Sequence, residues 1–354
     1  MTRGCRWVAA FLLLLVAASA VSVATPAWAC GCGAYIPNAA GASVATERAL
    51  IAWDGARQDV VMSFQVSGSS ESAAWVMPVP SAAEVTLADA ELFADLDRLT
   101  APRVEFRDDW WPTFDWLSTG YGDSEGSAGA RAPSGVNVLD RQRIGPFDVS
   151  RLAADDASAL ANWLADNGFP NPAGLDRNLA AYVTQRWQLV AIKLVPDDAT
   201  GALTGDLQPL RLSFDADSVV YPMRLSRSAT VPQTIDLYIL AQHRMDPDSS
   251  PVPGTRPILQ YAGRIDDAST PALEPYLARG SYLTRWSEFI AQPESIDGDY
   301  VFATASADDD FRKVVYVTRH RGDLTGLLIL GVLGVGVVAA TLLLVRGAAK
   351  RARS

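Results

Sequence analysis

The sequence predicts an α+β protein: a body rich in antiparallel strands, with several helices, followed by one C-terminal transmembrane helix. Short apolar segments bounded by Gly, Pro, Asp and Ser recur along most of the chain, which is typical of strands joined by turns. A few segments between them repeat their apolar residues at helical spacing, without the regular alternation of a parallel α/β fold. An uncharged apolar run at 324–345 completes the prediction.

Residues 1–29 have the order of a secretory signal peptide. Two arginines precede an apolar run, and a small-residue triplet of the A-x-A type follows at 27–29. This order predicts cleavage before Cys30 and export of the rest of the chain. Two alternatives stay open. Residues 7–23 could instead form a retained first membrane helix, or the thiol of Cys30 could carry a lipid, although the bulky Trp28 disfavours lipidation.

The extracytoplasmic body is predicted to span 30–323, as one domain or as two subdomains. Predicted strands are 47–53, 58–66, 73–79, 189–195, 210–214, 219–225, 235–242, 258–265, 300–303 and 314–318, each a short apolar run between turn residues. Predicted helices are 88–99, 155–167, 175–185 and 282–290, from apolar residues at helical spacing. The first three strands indicate a small meander. Because Pro78 and Pro80 have no amide hydrogen, the third strand should end there or lie at an edge.

A Gly-, Ser- and Pro-rich loop with many aromatic residues is predicted at 108–135. Its candidate ligand-binding residues are Trp110, Trp111, Trp116 and Tyr121, which lie among aspartates. Flat apolar rings beside hydrogen-bond acceptors suit a sugar ring or a protein partner. The alternative is that the loop folds back and buries these rings as a small satellite core.

The apolar run at 324–345 is long enough to cross a membrane. Its 22 residues would form a helix of about 33 Å, against a hydrocarbon core of about 30 Å. The tail at 346–354 contains the basic residues Arg346, Lys350, Arg351 and Arg353. Because positive flanking residues favour the cytoplasmic side, we expect a single-pass protein of the cell membrane, with its body outside and its C-terminus inside. The lipid bilayer is therefore its first expected partner.

Charge and cysteine content restrict the possible partners. The chain has 40 acidic and 30 basic residues, and six of the basic residues lie in the predicted signal and tail, which leaves the body with a net charge of −16. An acidic body repels phosphate backbones, so we expect no nucleic-acid binding. Cys30 and Cys32, in Cys-Gly-Cys, are a disulfide candidate in an oxidising compartment.

Several motifs of catalytic sites do not occur in the sequence. It has no S-x-x-K, H-E-x-x-H or phosphate-binding glycine loop. Of its two histidines, His243 favours a structural role, and His320, between Arg319 and Arg321, is expected at the level of the lipid headgroups. Short aspartate clusters could offer oxygen to calcium, but none follows the twelve-residue loop pattern, so we expect no metal and no cofactor. The two carboxylates that catalyse glycoside hydrolysis come together only in the folded protein, so they have no characteristic spacing in the sequence by which to recognise them.

Several short segments, taken in order, resemble a bacterial family. They are Ala29-Cys30-Gly31, Ala74-Trp75-Val76-Met77-Pro78-Val79-Pro80, Leu92-Phe93-Ala94-Asp95-Leu96, Thr100-Ala101-Pro102-Arg103, Val190-Ala191-Ile192-Lys193-Leu194, Tyr221-Pro222-Met223-Arg224-Leu225 and Tyr282-Leu283-Thr284-Arg285. Their order is similar to that of the exported bacterial proteins of the domain of unknown function 2330 family. The resemblance implies a bacterial envelope protein and carries over no activity.

These observations lead to two hypotheses of different classes. The first is a membrane-anchored envelope protein that binds a partner, such as an envelope protein or glycan, or has a structural role. The alternative is an acid-dependent hydrolase acting on a cell-wall polymer. Oligomeric state is left open by the sequence.

Overall fold

The computed structural model describes residues 33–38, 42–112, 143–144, 147–153, 157–196, 201–265 and 270–351. The chain divides into two compact units. The first unit comprises residues up to 101 together with 139–312, and the second comprises 102–138 and 313–354.

Strands and helices are mixed along the chain, which confirms the predicted α+β class. The strands are β1 (Ala34–Pro37), β2 (Ser43–Trp53), β3 (Arg57–Ser70), β4 (Ala73–Val79), β5 (Glu84–Leu87), β6 (Arg103–Asp109), β7 (Arg143–Ile144), β8 (Phe147–Ala153), β9 (Gln188–Leu194), β10 (Leu203–Asp206), β11 (Leu210–Asp215), β12 (Val219–Tyr221), β13 (Gln233–Ala241), β14 (Met245–Ser249), β15 (Ile258–Arg264), β16 (Tyr282–Ile290), β17 (Tyr300–Thr304), β18 (Phe311–Arg312) and β19 (Val314–His320). The α-helices are α1 (Leu92–Leu99), α2 (Ala157–Asp166), α3 (Leu175–Thr184) and α4 (Gly322–Arg351), and 3₁₀ turns occupy Arg224–Ser228, Glu274–Arg279 and Pro293–Ser295.

In the described part of the first unit, the strands form three sheets. The large sheet has the order β18-β15-β16-β13-β2-β3-β11-β5, with β10 also paired to β3. A five-stranded sheet has the order β1-β4-β9-β8-β7, and a three-stranded sheet has the order β12-β17-β14. Of the pairs in the large sheet, β13 and β2 run parallel, whereas the others are antiparallel.

The main hydrophobic core takes alternate residues from all three sheets. On β13, Ile235, Leu237 and Ile239 belong to this core, whereas Tyr238 and Leu240 lie on the opposite face. Because side chains of a strand alternate between the two faces of its sheet, the main core lies between the large sheet and the other two sheets. A strand that is buried on both faces has few polar positions, and the continuous apolar runs of the sequence reflect this.

Helices cover the outer faces of two sheets. Leu160 and Leu164 of α2 and Leu179 of α3 pack with Ile36 and Ala191 of the five-stranded sheet. The second face of the large sheet packs in the same way against α1 and the 3₁₀ turn Glu274–Arg279. The apolar spacing that predicted α1, α2 and α3 therefore marks the face that each helix buries.

Two predictions about local structure are wrong. The segment 282–290, predicted as a helix, is β16 and pairs with both β13 and β15. The polar residues Thr284 and Glu288 lie on its buried face, and this breaks the apolar alternation that would indicate a strand. The predicted meander is also not a single sheet, because β2 and β3 pair in the large sheet whereas β4 belongs to the five-stranded sheet.

Pro78 lies within β4, in the middle of the sheet order. It is opposite Leu189 of β9, and on the other side β1 pairs only with residues 73–76 of β4. The edge next to Pro78 is thus open on the β1 side. Strand β4 ends one residue later, at Val79, close to where the prolines were predicted to end it.

The second unit contains a two-stranded ribbon and the long C-terminal helix. Strands β6 and β19 pair in parallel over seven residue pairs, from Arg103 with Val314 to Asp109 with His320. Helix α4 follows β19 and provides a candidate membrane span at Gly322–Ala349, with a mean hydropathy of 2.8 and no buried residues in its most apolar window. The predicted apolar run at 324–345 lies inside this helix.

Candidate functional site

The first unit contains an open cleft of about 470 Å³ where five chain segments meet. Its lining combines one large ring with several polar side chains. The ring is that of Trp187, and the polar side chains include those of Asp217, Ser218, Arg224, Ser249 and Asp299. Trp187 lies between α3 and β9, Asp217 and Ser218 lie in the turn between β11 and β12, and Asp299 directly precedes β17.

The end of α3 positions the aromatic wall of the cleft. The Trp187 N–H donates to the Tyr182 carbonyl at 3.0 Å, and the Arg186 N–H donates to the Val183 carbonyl at 3.0 Å. This is the pair of bonds of a Schellman motif, in which the residue after the helix takes a left-handed conformation. Arg186 has φ 58°, a conformation that is usually left to glycine. The turn brings the Trp187 and Tyr182 rings to 5.1 Å between centroids.

Asp299 is the best-bound carboxylate of the cleft. It accepts hydrogen bonds from the Tyr182 hydroxyl at 2.5 Å, the Met223 N–H at 2.7 Å and the Arg224 N–H at 3.3 Å. The Nε of Arg224 also donates to it at 3.0 Å. Burial raises the pKa of Tyr182 well above its usual value, and the charge of Asp299 raises it further. Tyr182 is therefore held as a neutral donor.

The arrangement suits binding better than proton transfer. A carboxylate has about four lone-pair sites, and four donors already contact Asp299. Its role is then to fix Arg224 and the turn after β12. Around it, the Trp187 ring, the exposed Asp217 carboxylate and the Ser218 hydroxyl offer an apolar face beside hydrogen-bonding groups.

Two further carboxylates lie deep between the sheets. Glu47 accepts a hydrogen bond from the Tyr221 hydroxyl, and Glu288 accepts one from the Tyr300 hydroxyl at 2.5 Å. Glu47 and Glu288 occur in register with the same residue, Ile235, on either side of β13. Both acids are buried and tyrosine-bound, so they act as polar links between sheets. The sequence reasoning missed them, although Glu47 and Glu288 stand at inward-facing positions of their strands.

The residues predicted as a ligand site are only partly described. Trp110 and Trp111 directly follow β6 in the second unit, and their side chains are 53% and 77% exposed. Trp116, Tyr121, Cys30, Cys32 and Arg353 lie outside the described residues. Of the remaining basic tail residues, Arg346, Lys350 and Arg351 belong to α4.

Both histidines sit beside aspartates. His243 is 3.0 Å from Asp308, which also accepts the Arg244 N–H at 2.8 Å. The hydrogen bond from the Arg244 N–H lowers the pKa of the Asp308 carboxyl, and the hydrogen bond with the His243 side chain lowers it further. His320 is 3.4 Å from Asp109. Among the residues that the structure describes, no three His, Cys, Asp or Glu side chains are grouped so as to hold a metal ion.

The fold and the cleft define the class of protein: an α+β body of layered sheets, with a separate C-terminal apolar helix. The chain belongs to the family described as "Uncharacterized protein conserved in bacteria (DUF2330)", whose model matches residues 26–303. This confirms the resemblance drawn from the short segments.

Comparisons with other proteins add little to this assignment. No curated protein sequence matches the chain. Among solved structures, baculovirus P35 is similar with a TM-score of 0.33 and 11% identity, over 77% of this chain and 97% of that one. The caspase-8/P35 complex gives 0.31 and 9%, over 74% and 96%. At these TM-scores, the similarity carries no inference about this chain.

Proposed function

We propose that this protein is anchored in the cell membrane by α4 and binds a small polar ligand in the cleft of its extracytoplasmic body. The observation that carries the binding role is the cleft itself, in which Trp187 stands beside Asp217, Ser218 and Arg224. Helix α4, with its mean hydropathy of 2.8, supports the anchor. The signal-like N-terminus and the basic tail support an orientation with the body outside the cytoplasm.

The orientation is tested by protease accessibility. Spheroplasts carrying the full chain with an epitope after Ser354 are treated with protease, and the epitope is followed by blotting. We expect the body to be digested and a short fragment containing α4 and the tail to survive. Digestion of the tail with an intact body would overturn the proposed orientation.

The ligand class follows from the lining of the cleft. A sugar ring has an apolar face that stacks on tryptophan, and hydroxyls at its rim that pair with carboxylates, hydroxyls and guanidinium groups. The body has a net charge of −16, which disfavours an anionic ligand. We therefore propose a neutral glycan of the cell envelope as the ligand.

Binding is tested with the full chain in lipid nanodiscs, because sugar-headed detergents would compete. The probes are neutral oligosaccharides of glucose, mannose and N-acetylglucosamine, and the readout is the tryptophan emission spectrum. We expect saturable binding that Asp217→Asn and Trp187→Ala each weaken about tenfold, or about 1.4 kcal/mol.

Asp297→Asn is the matched control, because Asp297 is an exposed aspartate that does not line the cleft. We expect it to leave the affinity unchanged. Equal effects of the two aspartate changes, or no binding of any probe, would contradict the proposed ligand. Release of shorter products from a bound oligosaccharide, abolished by Asp217→Asn, would instead support the hydrolase predicted as the alternative.

A further inference from the structure

The parallel pairing of β6 and β19 determines which residues of the second unit lie together at each end of the ribbon. In a parallel pair both strands run in the same direction, so the residues that follow β6 and the residues that follow β19 emerge at one end. Trp110 and Trp111 follow β6, whereas Arg321 and then helix α4 follow β19. The last register pair, Asp109 with His320, marks this end.

Two contacts hold Trp110 beside the start of α4. The Arg321 N–H donates to the Asp109 carbonyl at 2.8 Å. The Arg321 guanidinium also lies over the Trp110 ring, 5.6 Å from its centroid. Trp110 is therefore at the level of Arg321, although the two residues are far apart in the sequence.

The distance from Arg321 to the apolar part of α4 is short. Only Gly322 and Asp323 separate Arg321 from Leu324, which corresponds to about 4.5 Å of helical rise. The headgroup region of a bilayer is about 5–7 Å thick on each side of its hydrocarbon core. When α4 spans the membrane, Trp110 and Trp111 thus fall at the depth of the headgroups.

The chemistry of this end matches that depth. Trp110 and Trp111 are at least half exposed, and tryptophan is enriched where hydrocarbon meets water. Of the acidic neighbours, Asp108 is paired with Arg321 at 3.1 Å, and Asp109 lies 3.4 Å from His320. The pairing with Arg321 reduces the repulsion of the Asp108 carboxylate from lipid phosphates. Arginine can also reach phosphates while its stem lies along apolar groups.

We infer that Trp110 and Trp111 insert into the headgroup region of the bilayer that α4 spans, as a second attachment point to the membrane. This inference rests on the proposed membrane anchor. The site assigned from sequence to a sugar or a protein partner is thereby reassigned to lipid. The parallel pairing of β6 with β19 supplies the rigid link between the two attachment points.

The test uses the full chain reconstituted into phosphatidylcholine liposomes, with or without lipids brominated near the top of the acyl chains. Bromine quenches tryptophan only on close contact. We expect brominated lipid to quench part of the wild-type emission, and the double variant Trp110→Phe/Trp111→Phe to reduce the quenched fraction at least twofold. The matched control Trp53→Phe/Trp163→Phe, in the first unit and outside the cleft, should leave the quenched intensity unchanged.

A separate flotation assay in alkaline carbonate reports whether α4 is inserted. Protein that floats with the liposomes but shows the same quenching in the Trp110/Trp111 variant overturns the inference and leaves the anchor intact. Protein that does not float overturns both. Protection of these tryptophans from acrylamide by soluble glycan, without quenching by lipid, would assign them to a sugar and also overturn the inference.

Discussion

The two units place their large apolar side chains in opposite environments. In the first unit, rings such as Trp75, Tyr35 and Tyr238 are fully buried. In the second unit, Phe106 and Tyr316 are at least half exposed on a ribbon that leads into the apolar helix α4. The same residue types therefore occur in two environments, because the first unit buries its rings in a core, whereas the second unit leaves its rings exposed on a two-stranded ribbon.

Charged side chains show the same contrast. The first unit buries the Asp59 side chain completely and surrounds it with Arg211 and Arg279, each at 3.0 Å. The second unit places cations over exposed rings, with Arg319 above Phe106 at 3.5 Å and Arg107 above Tyr316 at 3.5 Å. Contacts to a buried charge are strong because water cannot replace them, whereas surface contacts compete with water.

The largest expected effect is the removal of the buried charge. Asp59→Asn keeps the shape of the side chain but leaves Arg211 and Arg279 facing a neutral amide. We expect a loss of about 3 kcal/mol in the free energy of unfolding, since breaking a buried ion pair leaves charge without compensation. The measurement is urea unfolding of the full chain in detergent micelles, followed by tryptophan fluorescence.

Asp215→Asn is the control for this change. Asp215 lies 3.3 Å from Arg57, and its side chain is 77% exposed. We expect less than about 1 kcal/mol for its loss. If the two variants unfolded at the same urea concentration, the contrast between buried and surface charge would not hold.

Alkaline pH should destabilise the first unit through its buried phenols. Burial raises the pKa of Tyr182 and Tyr300 well above the usual value and that of Tyr276 to about 12. Because the folded-state pKa exceeds the unfolded value of about 10, the stability that these tyrosines contribute is fully present below pH 10. It is lost as the pH rises through the folded-state values.

This expectation is checked by titrating the full chain from neutral to alkaline pH. Phenolate absorbance and near-ultraviolet circular dichroism are recorded together. We expect a fraction of the phenolates to appear only above pH 10, in the same step in which the tertiary signal is lost. Ionisation of all tyrosines near pH 10 with an intact tertiary signal would show that these rings are not buried in the folded protein.

Sequence patterns predicted the helices that have one apolar face or are apolar throughout. Helices α1, α2 and α3 and the apolar run of α4 are found close to their predicted bounds, because an amphipathic or fully apolar pattern is local. Strand β16 was missed for the opposite reason. Its inward-facing Glu288 has its partner, Tyr300, on another strand in another sheet. A polar residue inside a core cannot be recognised until its partner is known.

The cleft could not be predicted from the sequence for a similar reason. Trp187, Asp217 and Asp299 come from separate connections between strands, and only the folded sheets bring them together. Trp110 and Trp111 were recognised because they are adjacent aromatic residues in a polar segment. Their proximity to the start of α4 required the parallel register of β6 and β19, which no local pattern indicates.

A smaller effect is expected at the end of α3. Arg186→Gly removes a side chain from a left-handed conformation, and we expect the free energy of unfolding to rise by about 1 kcal/mol. The control is the same substitution at Arg177 within α3, which should lower it by about 0.5–1 kcal/mol because glycine is a poor helix residue. Urea unfolding measures both. A loss of stability in Arg186→Gly would mean that the arginine side chain contributes more than the strained backbone costs.

The smallest effect is expected on the ribbon of the second unit. Arg319→Ala removes the guanidinium that lies 3.5 Å above the Phe106 ring, and an exposed contact of this kind contributes about 0.5 kcal/mol. Global unfolding of the first unit should be unchanged, while amide hydrogen exchange in β6 and β19 should become about twofold faster in micelles. Arg312→Ala is the control, because Arg312 lies over Tyr261 in the first unit. If amide exchange in β6 and β19 became faster in both variants, the two units would not be independent in stability. If it became faster only in Arg319→Ala, the exposed arginine would be shown to stabilise the ribbon locally.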